Sequence, residues 1–256
     1  MACSGPLIVP VAELQMDYFH GIKILNDKGE ELADEVFERY LRRSQAWLEK
    51  QLGITLAPCR VVDERHRYVQ QDFQQYIYLN TYMAPIISVE EVKIAWPGLA
   101  GSKVTFPASW LDFDPKSFMG RVQMVPQQDA LSAQFITSGG QFLPLMRTGG
   151  TAYVPGIMQI TYTGGFKEED IPEELKEAVA MRAAMGIFDV AGDLIVGAGI
   201  ASKSISIPGL SQSVSTTSSA TNAGYGARIG SYKDRLDKLM PMLRSTYGRT
   251  MRMVVA

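Results

Sequence analysis

The chain has 256 residues, of which 46% are hydrophobic, 20% charged and 9% aromatic, and its formal net charge at pH 7 is -2. This composition is typical of folded globular proteins and excludes the disordered, collagen-like and disulfide-rich classes. It also excludes a protein that covers nucleic acid with its whole surface, because such binding needs concentrated positive charge. Any contact with nucleic acid must therefore be local.

No sequence feature indicates secretion or a membrane span. The two cysteines, Cys3 and Cys59, form neither a CxxC motif nor a paired framework, so we expect a reduced, cytosolic chain. The apolar stretch 7–11 is short and lacks a basic leader, which does not fit a signal peptide. The longest apolar region, 178–201, contains three charged residues that would be costly in a bilayer.

The first half of the chain changes its hydrophobic period once. Over residues 34–52, apolar side chains recur at steps of three and four, which predicts a helix that Gly53 caps. From residue 58 to 166, short runs rich in β-branched and aromatic residues alternate with proline, glycine and aspartate. This pattern predicts an antiparallel β domain. The predicted strands are 76–79, 89–96, 103–106, 121–125 and 157–162.

A second helix is predicted over residues 172–191, because Asp170, Pro172 and acidic residues mark its first turn. The following segment, 202–221, contains eleven serines or threonines and one basic residue, Lys203. It is either a flexible linker or an extended strand, and the alternation of serine and isoleucine over 204–207 favours the strand.

The last predicted helix covers residues 223–247 and has an apolar seam at steps of three and four, with a kink expected at Pro241. Seven basic and two acidic residues lie between Arg228 and Arg252, so this stretch has a net charge of +5 and the remainder of the chain -7. The seam consists of Tyr225, Ile229, Tyr232, Leu236, Leu239, Leu243 and Tyr247.

The motifs that usually carry catalysis are weak in this sequence. The glycine-rich segment 197–204 departs from a phosphate-binding loop and follows a helix, so we interpret it as a connector. His20 and His66 have no partner at metal-ligand spacing, and no serine lies in a GxSxG elbow. We therefore predict no catalytic, cofactor-binding or metal site.

Two further groups of residues, adjacent carboxylates and a run of tyrosines, fit structural roles better than functional ones. The adjacent carboxylates at 63–64 and 90–91 should point to opposite faces of an extended chain, so solvated charge is the better interpretation. Tyr76, Tyr78 and Tyr82 could stack on nucleic-acid bases. Because no lysine or arginine is interleaved with them, they fit the packed face of a sheet better.

The order of these elements resembles the head-tail connector (adaptor, or head-completion) proteins of tailed bacteriophages. Two stretches carry the resemblance: the junction TYTGGF…IPEEL at 161–175 and the segment GAGIASKSISIPGLSQSVSTTSSATNAGYGARI at 197–229. The resemblance covers roughly residues 30–247 and is weakest in the β portion, which is larger here than in the smallest, mainly helical members.

The predicted fold class is α+β: a bundle of about three main helices with an inserted antiparallel β domain and an extended C-terminal arm rich in serine and threonine. The predicted organisation is 1–57 N-terminal arm and helix, 58–166 β insertion, 167–201 central helix, 202–221 extended arm, and 222–256 basic helix and tail.

The resemblance implies a non-enzymatic virion protein in the neck, assembled in the host cytoplasm. Such proteins form a ring, expected to be twelve-fold, that lies below the portal and continues the DNA channel. The implied partners are the portal protein, the next neck or tail-completion protein, neighbouring copies of the chain and the packaged DNA, with no membrane and no cofactor.

Two sets of residues are predicted to make these contacts, because a strand with few charges can extend a neighbour's sheet and a basic helix can meet an acidic surface. The expected subunit-subunit strand comprises Ser204, Ile205, Ser206, Ile207, Leu210 and Val214. The expected contacts with the portal or the channel DNA are Arg228, Lys233, Arg235, Lys238, Arg244, Arg249 and Arg252.

Two other classes of function stay open. One is a nucleic-acid-binding module that acts through the basic C-terminal helix, which salt-dependent DNA binding by the monomer would favour. The other is an enzyme of unrecognised type, which a cluster of strongly perturbed ionisable residues in a deep pocket would favour.

Overall fold

The computed structural model shows a mixed α+β protein, which confirms the predicted fold class. The chain divides into two compact units, one formed by residues 1–6, 53–170 and 249–256 and the other by 7–52 and 171–248. The described residues are 5–25, 29–69, 77–95, 103–125, 153–196, 202–207, 210–215 and 225–249.

The first unit contains two antiparallel sheets. The four-stranded sheet has the order β1-β7-β3-β4, and the three-stranded sheet has the order β2-β6-β5. The strands are β1 (Cys59–Val69), β2 (Ile77–Asn80), β3 (Ile86–Ala95), β4 (Lys103–Thr105), β5 (Leu111–Phe113), β6 (Arg121–Met124) and β7 (Tyr153–Gly164).

The core of the first unit is built around β7, which pairs with β1 on one side and β3 on the other. Residues 157–162 of β7 are all buried, as expected for a strand inside a sheet that is covered on both faces. Trp110, Val122 and Met124 belong to the same apolar cluster. Burial of this cluster, rather than intrinsic β propensity, is what fixes the register of the central strands.

Each of the five predicted strands overlaps an observed one, but β1 and β5 were not predicted. In β1 only Cys59, Glu64 and Tyr68 are buried, and register shifts interrupt its pairing with β7. A charged sequence with irregular alternation gives no strand signal, because the period of two is broken at each shift.

The expectation of reduced cysteines is wrong for Cys59, which is disulfide-bonded. The chain contains one other cysteine, Cys3, which lies outside the described residues.

The second unit is helical, with α1 (Val11–Asp17), α2 (Asp34–Leu52), α3 (Glu173–Val196) and α4 (Gly226–Tyr247). The three longer helices were predicted, and α1 was not, because seven residues are too few for a clear period. No described helix is long and apolar enough to cross a membrane.

The helix α3 lies at the centre of this unit and contacts both α2 and α4. Small residues such as Ala178, Ala183 and Ala184 are fully buried, which lets the neighbouring helices approach closely. The helix α4 buries one face, through Tyr232, Leu236, Met240, Leu243 and Tyr247. Four residues of the predicted seam are therefore buried: Tyr232, Leu236, Leu243 and Tyr247. Tyr225, Ile229 and Leu239 are only partly buried, and Met240, which was not predicted, is buried.

The serine-rich segment forms an antiparallel hairpin of β8 (Ser202–Ile207) and β9 (Leu210–Ser215). Its register pairs Ser204 with Ser213 and Ile207 with Leu210. The extended conformation that the alternation predicted is thus present in both strands, while their contact with a neighbouring subunit stays a prediction.

Candidate functional site

The helix α4 buries its apolar seam on one face and carries cations on its exposed face. Lys233, Lys238 and Arg244 are exposed, and none of the three forms an ion pair with a carboxylate among the described residues. Arg244 donates a hydrogen bond from Nη2 to Oε1 of Gln51 at 2.6 Å. A neutral amide leaves the charge of this guanidinium uncompensated.

Two other predicted cations on α4 are already engaged. Arg235 forms an ion pair with Glu177 on α3. Arg228 lies over the ring of Phe188, with its Cζ 5.6 Å from the centroid, and its Nη1 is buried without a hydrogen-bond partner among the described residues. Arg228 therefore contributes to the packing of α4 against α3. The side chain of Arg235 is 57% exposed, but Glu177 compensates its charge.

Arg249 follows the end of α4 and belongs to the first unit. Its Nη2 donates to the carbonyl oxygen of Thr81 at 2.7 Å and its Nη1 to that of Tyr82 at 3.1 Å. Burial lowers the pKa of this guanidinium. Arg249 therefore holds a loop of its own chain, and Arg252 lies outside the described residues.

A groove of about 820 Å³ is lined by α2, α3 and α4. Its floor contains Trp47, and the guanidinium of Arg182 lies over this ring with Cζ 4.0 Å from the centroid. Burial lowers the pKa of Arg182. The charged side chains that line the groove are Arg43, Arg182, Lys233 and Arg244, with Asp189 and Asp237. An apolar, aromatic floor with a basic rim suits a segment that presents carboxylates.

The interpretation of residues 63–64 as solvated charge is wrong for Glu64, whose carboxylate is buried. Tyr162 donates its hydroxyl to Oε2 at 2.6 Å, and the backbone N–H of Tyr82 donates to Oε1 at 2.9 Å. Nε2 of His66 lies 2.6 Å from Oε1. Three partners thus satisfy a charge that burial would otherwise destabilise.

A backbone irregularity separates the two carboxylates. Asp63 has a φ of 52°, and the register of β1 shifts between Val61 and Glu64. Glu64 is consequently buried, whereas Asp63 remains partly exposed and pairs with Lys93 at 2.6 Å. Sequence reasoning missed this cluster because Glu64 and Tyr162 are 98 residues apart and neither belongs to a motif.

The tyrosines that were predicted to form the packed face of a sheet do not all do so. Tyr82 is 72% exposed and follows β2, with its ring centroid 5.3 Å from that of His66, so the prediction of a packed sheet face is wrong for this residue. Tyr78 lies in β2 beneath the guanidinium of Arg121 at 4.8 Å, and Tyr76 lies outside the described residues. Within the described ranges, no group of three His, Cys, Asp or Glu side chains could hold a metal ion.

Buried tyrosines give the protein a predicted sensitivity to alkaline pH. Burial raises the pKa of Tyr18 and that of Tyr247 to about 12, and the hydrogen bond to Glu174 adds to the shift at Tyr247. Their usual value is 10.0, so stability is complete below pH 10 and is lost as the pH rises toward 12. We expect the free energy of unfolding in urea to fall over this interval, less steeply in Tyr247→Phe. If the free energy of unfolding fell equally steeply with pH in the wild type and in Tyr247→Phe, the raised pKa of Tyr247 would be contradicted.

The comparisons with known proteins give a weak structural likeness. The chain is similar to a chain from the neck of an empty gene transfer agent (GTA) particle computed with C6 symmetry, at 18% identity over 72% of this chain and 81% of that one, with a TM-score of 0.44. A chain from the neck of the native GTA particle, computed with C12 symmetry, has the same identity and coverage and a TM-score of 0.38. No protein-family model matches the sequence, and no curated protein matches it significantly.

Proposed function

We propose that the chain is a structural neck protein of a phage-like particle, which forms a ring below the portal, joins the head to the tail and continues the DNA channel. The junction at 161–175 and the segment at 197–229 support this family assignment. The structural observation that carries the proposal is the division of α4 into a buried seam and an exposed face with unpaired cations.

The docking surface that we propose consists of Lys233 and Lys238. These side chains lie on α4 and have no carboxylate partner in the described part of the chain. An acidic surface on the portal would gain charge-assisted contacts with them and would be attracted over several ångströms before contact. Arg228, Arg235 and Arg249 support this helix and a loop from within the chain, so we assign them no partner contact.

The hairpin is proposed as the contact between neighbouring copies. Each strand of the hairpin pairs with the other along one edge, and no other strand of the described residues pairs with their outer edges. These outer edges can therefore accept the backbone of a neighbouring copy. Ser204 through Ile207, with Leu210 and Val214, would then form the subunit-subunit strand. Addition of a strand requires no large apolar patch on the free subunit.

The experiment reverses two charges of the docking surface. We expect Lys233→Glu/Lys238→Glu to weaken binding to a purified candidate portal by about tenfold or more at low salt and less at high salt, because screening removes the electrostatic share. Binding is measured by co-sedimentation. Lys50→Glu/Lys116→Glu makes the same charge change at exposed residues elsewhere and should bind as the wild type does.

Equal portal binding by the docking variant and the control variant would contradict the docking role. If duplex DNA, tested in place of the portal, bound the isolated wild-type protein and lost binding in the docking variant, the nucleic-acid-binding alternative would replace it. Truncation after Tyr225 is a poorer test, because it would remove the buried seam, including Leu236 and Leu243, and expose the residues of the second unit that the seam covers.

A further inference from the structure

The groove between α2, α3 and α4 holds more positive than negative charge. Four cations line it, and none of them forms an ion pair with a carboxylate among the described residues. Among the described residues that line the groove, Asp189 and Asp237 oppose these cations, so this part of the lining has a net charge of +2. Cations that converge on an apolar floor are incompletely compensated, which favours an acidic occupant.

A matching acidic element lies elsewhere on the surface of the same chain. Residues Glu168–Asp170 form a 3-10 turn in which all three carboxylates are exposed. None of them has an ion-pair or hydrogen-bond partner in the part of the chain that the structure describes. With the adjacent exposed Lys167, the turn has a net charge of -2, equal and opposite to that of the groove.

We propose that the groove of one copy receives the acidic turn of the next copy. The inference rests on the proposed ring, because a closed ring needs two different surfaces on each subunit that complement each other. Carboxylates of Glu168 and Glu169 would meet Arg43 and Arg244, since guanidinium groups bind carboxylates with directed, charge-assisted hydrogen bonds. The floor around Trp47 would exclude water from these pairs and thereby strengthen them.

The proposal separates the roles of the groove cations. Arg182 is stacked on Trp47 and is partly buried, so it shapes the floor. Arg43 and Arg244 are exposed at the rim, so they can bind a neighbouring copy without disturbing the buried core. Residues at the rim are therefore the ones to reverse in a test.

The test mixes two variants, each of which has lost one half of the contact. One variant is Arg43→Glu/Arg244→Glu, in which the rim is reversed, and the other is Glu168→Lys/Glu169→Lys, in which the turn is reversed. Each variant alone should self-associate at least about tenfold more weakly than the wild type in sedimentation velocity at low salt. An equimolar mixture should recover association, because each reversed rim then meets a reversed turn and each native rim meets a native turn.

Recovery in the mixture cannot arise from a contact within one chain or from misfolding, so it distinguishes the proposal from both. Lys50→Glu/Lys116→Glu, with two exposed cations outside the groove lining and outside the docking surface, should associate as the wild type does. If the wild type forms rings and the two groove and turn variants do so equally well, or if the mixture shows no recovery, this inference is overturned while the ring stands. If the wild type does not self-associate at any concentration, both the ring and the inference are contradicted.

Discussion

Replacement of Glu64 by alanine is expected to lower the free energy of unfolding by about 3–5 kcal/mol, the range for loss of one partner from a buried charged network. Glu64 accepts hydrogen bonds from the hydroxyl of Tyr162 and the backbone N–H of Tyr82. Alanine would leave both donors without an acceptor and would also remove the partner of His66. The segment of Thr81 and Tyr82, whose carbonyls bind Arg249, would lose its hydrogen bond to Glu64 of β1.

The measurement is equilibrium urea denaturation of the whole chain, followed by circular dichroism. Glu90→Ala is the matched control, because Glu90 is an exposed glutamate that pairs with Arg60 at 2.6 Å, and its loss should cost less than about 1 kcal/mol. Tyr162→Phe should give an intermediate loss, since the phenol also accepts from the N–H of Met83. A Glu64→Ala protein as stable as Glu90→Ala would contradict the buried network.

The second large effect is expected at Gly165, where alanine should destabilise the first unit by more than about 3 kcal/mol. The residue has a φ of +107°, which side chains rarely adopt, and an added Cβ would lie 2.3 Å from the carbonyl oxygen of Ala57. Its backbone N–H also donates to the carbonyl of Pro85 at 2.9 Å, so the chain cannot easily move away. Strain and steric overlap therefore act together.

Gly21→Ala is the control for this prediction. Gly21 also has a positive φ, +74°, but an added Cβ would meet nothing within 4 Å. Its substitution should cost only the conformational penalty of about 1 kcal/mol. If Gly165→Ala lost no more stability than Gly21→Ala, the close approach of the TYTGGF junction to Ala57 would be wrong.

The elements that the sequence predicts well are those with a regular period. The helices α2, α3 and α4 each have apolar residues at helical spacing, and the strand runs of β3 and β7 are rich in β-branched residues. The strand β1 was missed because most of its side chains are polar, and it is held in the sheet through its backbone pairing with β7. Tertiary pairing is not visible in a local pattern.

The charges show the same division between local pattern and tertiary structure. Counting residues is enough to find the basic character of the last helix. It does not show that Arg235 pairs with Glu177 or that Arg249 binds the carbonyls of Thr81 and Tyr82, because these partners are 58 and up to 168 residues away in sequence. The groove is likewise a product of packing, since it takes its cations from three separate helices.

The central claim, that this chain forms a portal-docked ring through α4, is tested most directly by negative-stain electron microscopy of the purified protein with a candidate portal. The account predicts an added ring of density on one end of the portal with the wild-type protein, and its loss with Lys233→Glu/Lys238→Glu but not with Lys50→Glu/Lys116→Glu. Bare portals in the presence of excess wild-type protein, or a ring that persists with the docking variant, would contradict it.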